Sequence, residues 1–144
     1  MGVRDPIHGA IPLNARELAV VDNRWVQRLR NIRQTGFSHL PFPGATHTRY
    51  AHCLGVMHLA GQAFDRAYDT WEFSAPDARE RFRDCVRLAA LLHDLGHAPF
   101  SHCTEFAMPS LSALGLAWLT PAQDRRANHE DYTIAILELS LIHI

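Results

Sequence analysis

The chain has 144 residues, 47% apolar and 20% charged, with a formal net charge of −1. That length suits one compact domain, and that balance excludes a globally basic nucleic-acid binder. No apolar run reaches the ~18 residues of a membrane span, and Met1 to Pro6 hold no apolar signal core, so a cytoplasmic protein is expected.

Residues 1–13 carry Asp5-Pro6, Gly9 and Pro12, which break helices, while Ile7, Ile11 and Leu13 alternate with other residues. A short strand or hairpin is expected there. Asn14 is placed to cap a helix through about Ala19, and Asp22 to cap a second with Trp25, Val26, Leu29 and Ile32 at helical spacing. Gly36 stops it, and Pro41, Pro43 and Gly44 mark a loop. A third helix is expected from about Thr46 to Tyr68. Its apolar stripe, from Tyr50, Cys53, Leu54 and Met57 to Phe64, is broad enough for a central position. Residues 69–77 read as a connection. The next helix spans about Ala78 to Leu95, with Arg79, Arg81, Arg83 and Arg87 expected on its solvated side and a fully apolar run over Leu88–Leu92. Gly96 and Pro99 end it. A short helix around Leu111–Leu119 and a last one from near Asn128 complete an all-α reading with at most a small N-terminal β-hairpin.

Two features of composition point toward chemistry. There are ten histidines, and all fourteen basic residues are arginine. Imidazole is the commonest metal ligand and acid–base group near neutral pH, and the guanidinium fork holds phosphate bidentately. A GC-rich genome also produces the arginine bias. Cys53, Cys85 and Cys103 show no CxxC spacing, which reads as buried thiols in a reducing compartment.

The strongest local signal is His93-Asp94-Leu95-Gly96-His97-Ala98-Pro99-Phe100-Ser101-His102, following directly on the apolar run. Ionisable groups emerging from buried sequence need partners, and a divalent cation is one. Cationic histidines favoured by the helix C-terminus are the alternative. His47-Thr48-Arg49-Tyr50-Ala51-His52 is the second signal, with Arg49 one turn before His52; taken alone, His52 also suits a satisfied core histidine. Asn128-His129-Glu130 precedes the last helix and by itself is a cap or a surface.

In this order, and together with Asp5-Pro6-Ile7-His8-Gly9, Gln27-Arg28-Leu29-Arg30, Gln34 and Phe42-Pro43-Gly44-Ala45-Thr46, these motifs resemble the HD superfamily. The resemblance is to the branch that holds deoxynucleoside triphosphate (dNTP) triphosphohydrolases. It covers residues 3–138 and implies a mostly helical HD fold. It implies that His52, His93 and Asp94 are three of four ligands of a divalent metal ion, which manganese, iron, magnesium, nickel or zinc could all be. Arg49 matches a phosphate contact and Gln34 a contact near the sugar; Thr35 stands where relatives often have leucine. His97, His102 and His129 match the histidines around the phosphates, one of which protonates the leaving 5′-oxygen. Glu130 is expected to hold a histidine in its working tautomer. Asp22, Gln27 and Arg30 correspond to positions that bind a regulatory nucleotide, with an ordinary surface as the alternative.

The implied reaction is metal-assisted hydrolysis, in which water attacks the α-phosphorus and a deoxynucleoside and triphosphate separate. Another HD phosphohydrolase, acting on nucleoside monophosphates or phosphoesters, and a non-catalytic nucleotide-binding module are the other readings. The fourth ligand is expected to be an aspartate downstream of the His-Glu motif; Asp124 precedes that motif and Asp131 is too close to it. Residues 139–144 match the translation of a transposon end used in sequencing adapters and are expected to be a non-native tail, with a chance ending as the alternative, so His143 is not counted as a ligand. The expectation is that 1–138 is the N-terminal part of one HD domain, homo-oligomeric when full length. A parent gene that continues differently after Glu138 is the check.

Overall fold

The computed structural model describes residues 1–116 and 125–141. The last three residues of the expected helix around Leu111–Leu119, Asp124 and His143 lie outside them. No described helix is long and apolar enough to cross a membrane.

A two-stranded antiparallel hairpin opens the chain, β1 (Gly2–Asp5) against β2 (Gly9–Pro12), in the register Gly2↔Pro12 to Asp5↔Gly9. Asp5 Oδ1 accepts the backbone N–H groups of Ile7 and His8 at 2.9 and 2.8 Å, closing the turn. Ile7 sits at this tip, 85% exposed, so of the three residues expected to alternate only Ile11 and Leu13 enter the core.

Helix α1 (Ala15–Val21) starts at a reciprocal capping box: Asn14 accepts from the Glu17 amide, and Glu17 accepts from the Asn14 amide. The cap of α2 (Arg24–Arg28) is Asn23, whose Oδ1 accepts from Trp25 N, and not Asp22. Asp22 has helical dihedrals as the C-cap of α1, whereas an N-cap needs the extended backbone that Asn23 has. The chain then tightens into a 3₁₀ turn, Leu29–Asn31, and leaves it extended at Ile32. Backbone bonds Arg49 N to Ile32 O (2.8 Å) and Gln34 N to His47 O (3.1 Å) pin this segment beside the start of α3.

Thr48 caps α3 (Arg49–Ala67), which packs lengthwise against α4 (Ala78–Leu92). Leu29, Cys53, Leu54, Met57, Leu91 and Leu95 form the centre of the core with Ile11 and Val26. Fully burying a side chain such as Leu91 contributes about 1.5–3 kcal/mol. Arg79, Arg81 and Arg83 lie at the surface with Asp65 and Asp77 as partners, but Arg87 is only 3% exposed. It donates to Glu17 of α1 (2.5 Å) and to the carbonyl of Pro12 (2.9 Å), the buried counter-charge that a local reading of α4 does not contain. Gly61 of α3 leaves the room, since a Cβ there would stand 2.9 Å from Arg87 Nη1.

Beyond α4 the chain turns through residues 93–100 into 3₁₀ turns at Ser101–Ala107 and Leu111–Leu114. Helix α5 (His129–Ile136) starts at a second capping box, Asn128 with Asp131, and continues as a π-helical turn, Leu137–Leu141. Cys53 is buried, but Cys85 and Cys103 are exposed, and all three are free thiols. The expected mostly helical architecture with a small hairpin is what the chain adopts.

Candidate metal and phosphohydrolase site

His52 lies on the second turn of α3, and His93 caps α4 with Asp94 next to it. The packing of α3 on α4 therefore brings three ligand-type side chains together, with their donor atoms within 4.8 Å of one another. His93 Nε2 is 3.3 Å from Asp94 Oδ1 and His52 Nε2 is 3.7 Å from Oδ2. Burial lowers the His52 pKa, only partly opposed by the Asp94 charge, so its imidazole is neutral and its lone pair available. Burial alone would raise the Asp94 pKa, but the hydrogen bond from His97 and the charge of Arg49 hold it well below the usual carboxylate range. A neutral imidazole at His52 beside a firmly ionised carboxylate at Asp94 is what binding of a divalent cation requires of those two groups. Beneath them, burial pushes the Cys53 thiol up to about 12, so it is a neutral thiol near pH 7.

Arg49 is 2% exposed. Its Nη1 donates to Asp94 Oδ2 at 2.5 Å, and its Nη2 donates to Ser101 Oγ and, at 3.3 Å, to the Gln34 carbonyl. The expected phosphate contact thus grips the carboxylate of the metal cluster, the nearest buried counter-charge. Gln34 reaches the same place from the extended segment after α2.

A second cluster adjoins the first. His97, His102 and His129 also bring donor atoms within 4.8 Å of one another. The His97 and His129 rings stack at 3.8 Å and 15°, and His102 stands edge-on to both. His97 Nε2 lies 3.5 Å from Asp94 Oδ1, so the two clusters touch. Burial lowers the His97 pKa most strongly, with Asp94 opposing. The carboxylate that orients these rings is Glu105, at 2.6 Å from His129 Nδ1 and 3.2 Å from His102 Nδ1. The hydrogen bond to His129, against a smaller burial effect, keeps Glu105 below its ordinary pKa. Glu130, expected in this role, is exposed. His129 and Glu130 are consecutive helical residues, and side chains one apart on a helix do not face each other.

Four further residues build the site without having been singled out. Gly96 lets α5 approach: a Cβ there would lie 2.1 Å from the His129 carbonyl and 2.4 Å from Thr133 N. Its own N–H donates to Thr133 Oγ1 at 2.8 Å. Arg28 Nη2 gathers the carbonyls of Leu95 (2.7 Å) and His97 (2.9 Å), fixing the turn between the clusters. Ser101 meets Arg49. The glycine at 96 looked like a helix stop only, and Arg28 lay within a motif without a distinct role.

Asp131 does not stand in for the expected fourth ligand, because it is held by Arg125 (2.7 and 2.8 Å) and by the cap of α5. The expected regulatory group is only partly gathered. Gln27 Oε1 accepts from Arg30 Nε at 2.7 Å, and Arg30 lies 3.7 Å over the Tyr50 ring, while Asp22 is exposed at the end of α1.

The HD domain family pattern matches residues 49–141, and the chain belongs to that family. It is also similar to particular proteins. The deoxynucleoside triphosphate triphosphohydrolase SAMHD1 of Xenopus laevis is 45% identical over 136 residues, 93% of this chain and 20% of its own. A SAMHD1 homolog of Dictyostelium discoideum is 36% identical over 94% of this chain and 24% of its own. An uncharacterized protein of Methanocaldococcus jannaschii is 40% identical over 78% of this chain and 22% of its own. The chain therefore spans about a fifth to a quarter of the length of these relatives.

Proposed function

We propose that this site belongs to a metal-dependent phosphohydrolase that converts deoxynucleoside triphosphates to deoxynucleosides and triphosphate. One observation carries the reading. The buried side-chain polar atoms without a hydrogen-bond partner among the described residues are Gln34 Oε1, Arg49 Nε, His97 Nδ1 and Arg28 Nε. Three of these four belong to residues that surround the two clusters, and orphan buried polar atoms need a ligand or water to satisfy them. The names of the triphosphohydrolase relatives indicate the substrate class.

His52, His93 and Asp94 would hold the divalent cation, with a further ligand outside the described residues. A cation there supplies polarisation of a phosphate oxygen and a more acidic water. The protein's own groups do the rest. Arg49 adds fixed positive charge behind Asp94, where it offsets charge developing on phosphate. Donation of His129 Nδ1–H to Glu105 leaves Nε2 to exchange a proton, and a proton held there or on His97 goes to the leaving 5′-oxygen.

The test is incubation of the full-length protein with each dNTP and manganese, scoring triphosphate release. His93→Ala and Asp94→Ala are each expected to lower turnover by at least about 100-fold. Orthophosphate as the product, or no product despite bound metal, rejects the reading.

A further inference from the structure

Among the described residues, Phe100 and Ser101 are the only non-glycine positions with positive φ, 68° and 58°, and they are consecutive. Left-handed backbone is unfavourable for residues with a side chain, and a bulky aromatic is among the poorer occupants. The surroundings hold the turn in place from several sides. The Phe100 ring stacks on Phe37 at 4.7 Å and 8°. Gly36, itself at φ 54°, leaves space for the Phe100 carbonyl, which a Cβ would approach to 2.9 Å. Thr104 Oγ1 donates to the carbonyls of Pro99 (2.9 Å) and Ser101 (3.2 Å).

The effect of this turn is to bring the Ser101 side chain, 7% exposed, onto the Arg49 guanidinium. Arg49 then has one arm on Asp94 and the other on Ser101 Oγ and the Gln34 carbonyl, 45, 52 and 15 residues away in sequence. Among the described residues, the hydroxyl is the one side-chain acceptor that steadies Nη2. Without it, that arm keeps only the longer bond to a backbone carbonyl, and the hold of Nη1 on Asp94 loosens.

We infer that Ser101 is a positioning residue: its hydroxyl, delivered by the left-handed turn, fixes Arg49 against Asp94 and so orients the carboxylate of the metal cluster. The inference rests on the proposed function for its catalytic consequence, but its effect on metal binding stands apart from the substrate.

Two variants separate the hydroxyl from the backbone. Ser101→Ala keeps the left-handed strain and Ser101→Gly relieves it, yet both delete the hydroxyl. In the full-length protein, manganese affinity is measured by calorimetry and turnover with a dNTP in parallel. Both variants are expected to bind manganese roughly tenfold more weakly, the size of effect seen when partners of metal ligands are removed. They are also expected to lower kcat by a similar factor, with KM changing less, while Ser101→Gly melts higher than Ser101→Ala. Wild-type metal affinity in Ser101→Gly overturns the inference, whether or not Ser101→Ala is impaired, and leaves Ser101 a turn residue. If the wild type releases no triphosphate, the substrate reading fails, while the manganese arm still decides the role of Ser101.

Discussion

At the scale of single residues, one carboxylate serves two imidazoles. Glu105 bonds the Nδ1 atoms of His129 and His102, and neither ring has another described hydrogen bond through that nitrogen. Glu105→Gln is expected to lower kcat by about 10- to 100-fold, as losses of orienting partners do. The melting temperature should shift little, because Glu105 is partly exposed and outside the core. A rate close to wild type in the Gln variant, measured at saturating dNTP, would show that the rings hold their orientation without it. Glu105 was not legible in the sequence because it lies in a 3₁₀ turn with no periodic pattern, and it reaches His129 across 24 residues. The grouping of His52 with His93 and Asp94 was legible through the order of motifs that resembles the HD superfamily; from its own surroundings His52 equally suited a core histidine. Arg49 was legible as a site residue but not as the partner of Asp94: the motif places it one turn from His52, and only the docking of α3 on α4 shows what it grips.

Pairs of elements meet through residues that are notable for what they lack. At Gly96 the turn after α4 touches the backbone of the first turn of α5 so closely that no side chain fits. Gly96→Ala must push α5 outward, taking His129 away from His97. The expected cost is about 3 kcal/mol or more, at the upper end of what overpacking usually does. Denaturant unfolding gives the stability, and the loss of the His97–His129 stack would be visible in a crystal structure of the variant. A destabilisation under about 1 kcal/mol would mean that α5 yields easily. The helix boundaries themselves were readable to within a few residues because caps are local: Asn14, Thr48 and Asn128 each act on an amide three residues away. The exception, Asn23 in place of Asp22, arose where two capping residues stand side by side and the backbone decides between them.

The molecule as a whole is tied across its length by the Glu17–Arg87 pair, which joins α1 and α4 and reaches the end of the hairpin through Pro12. Burial would raise the Glu17 pKa, but the Arg87 hydrogen bond and the Asn14 amide bring it below the ordinary value. A carboxyl with a lowered folded pKa stabilises above its unfolded value, near ~4.3, and loses that contribution as pH falls through its folded value. Glu17→Gln is therefore expected to be less stable than wild type at pH 7, by about 3 kcal/mol for a broken buried pair, with the difference shrinking below about pH 4. Denaturation of both proteins across that range checks it, and a gap that stays constant with pH would assign the loss to packing. Nothing in α4 alone distinguished Arg87 from Arg79, Arg81 and Arg83, since its partner is 70 residues away.

The same geometry bears on how the site comes into being. Arg28 binds carbonyls 67 and 69 residues further along, and Arg49 binds groups 45 and 52 residues away. Closing loops of that length costs chain entropy before any contact repays it. A peptide cut from His93 to His102 carries the most recognisable motif of the chain, yet it lacks Arg28, Arg49 and His129, which give that motif its shape. The chemistry is a property of the closed topology and cannot be carried by a linear epitope.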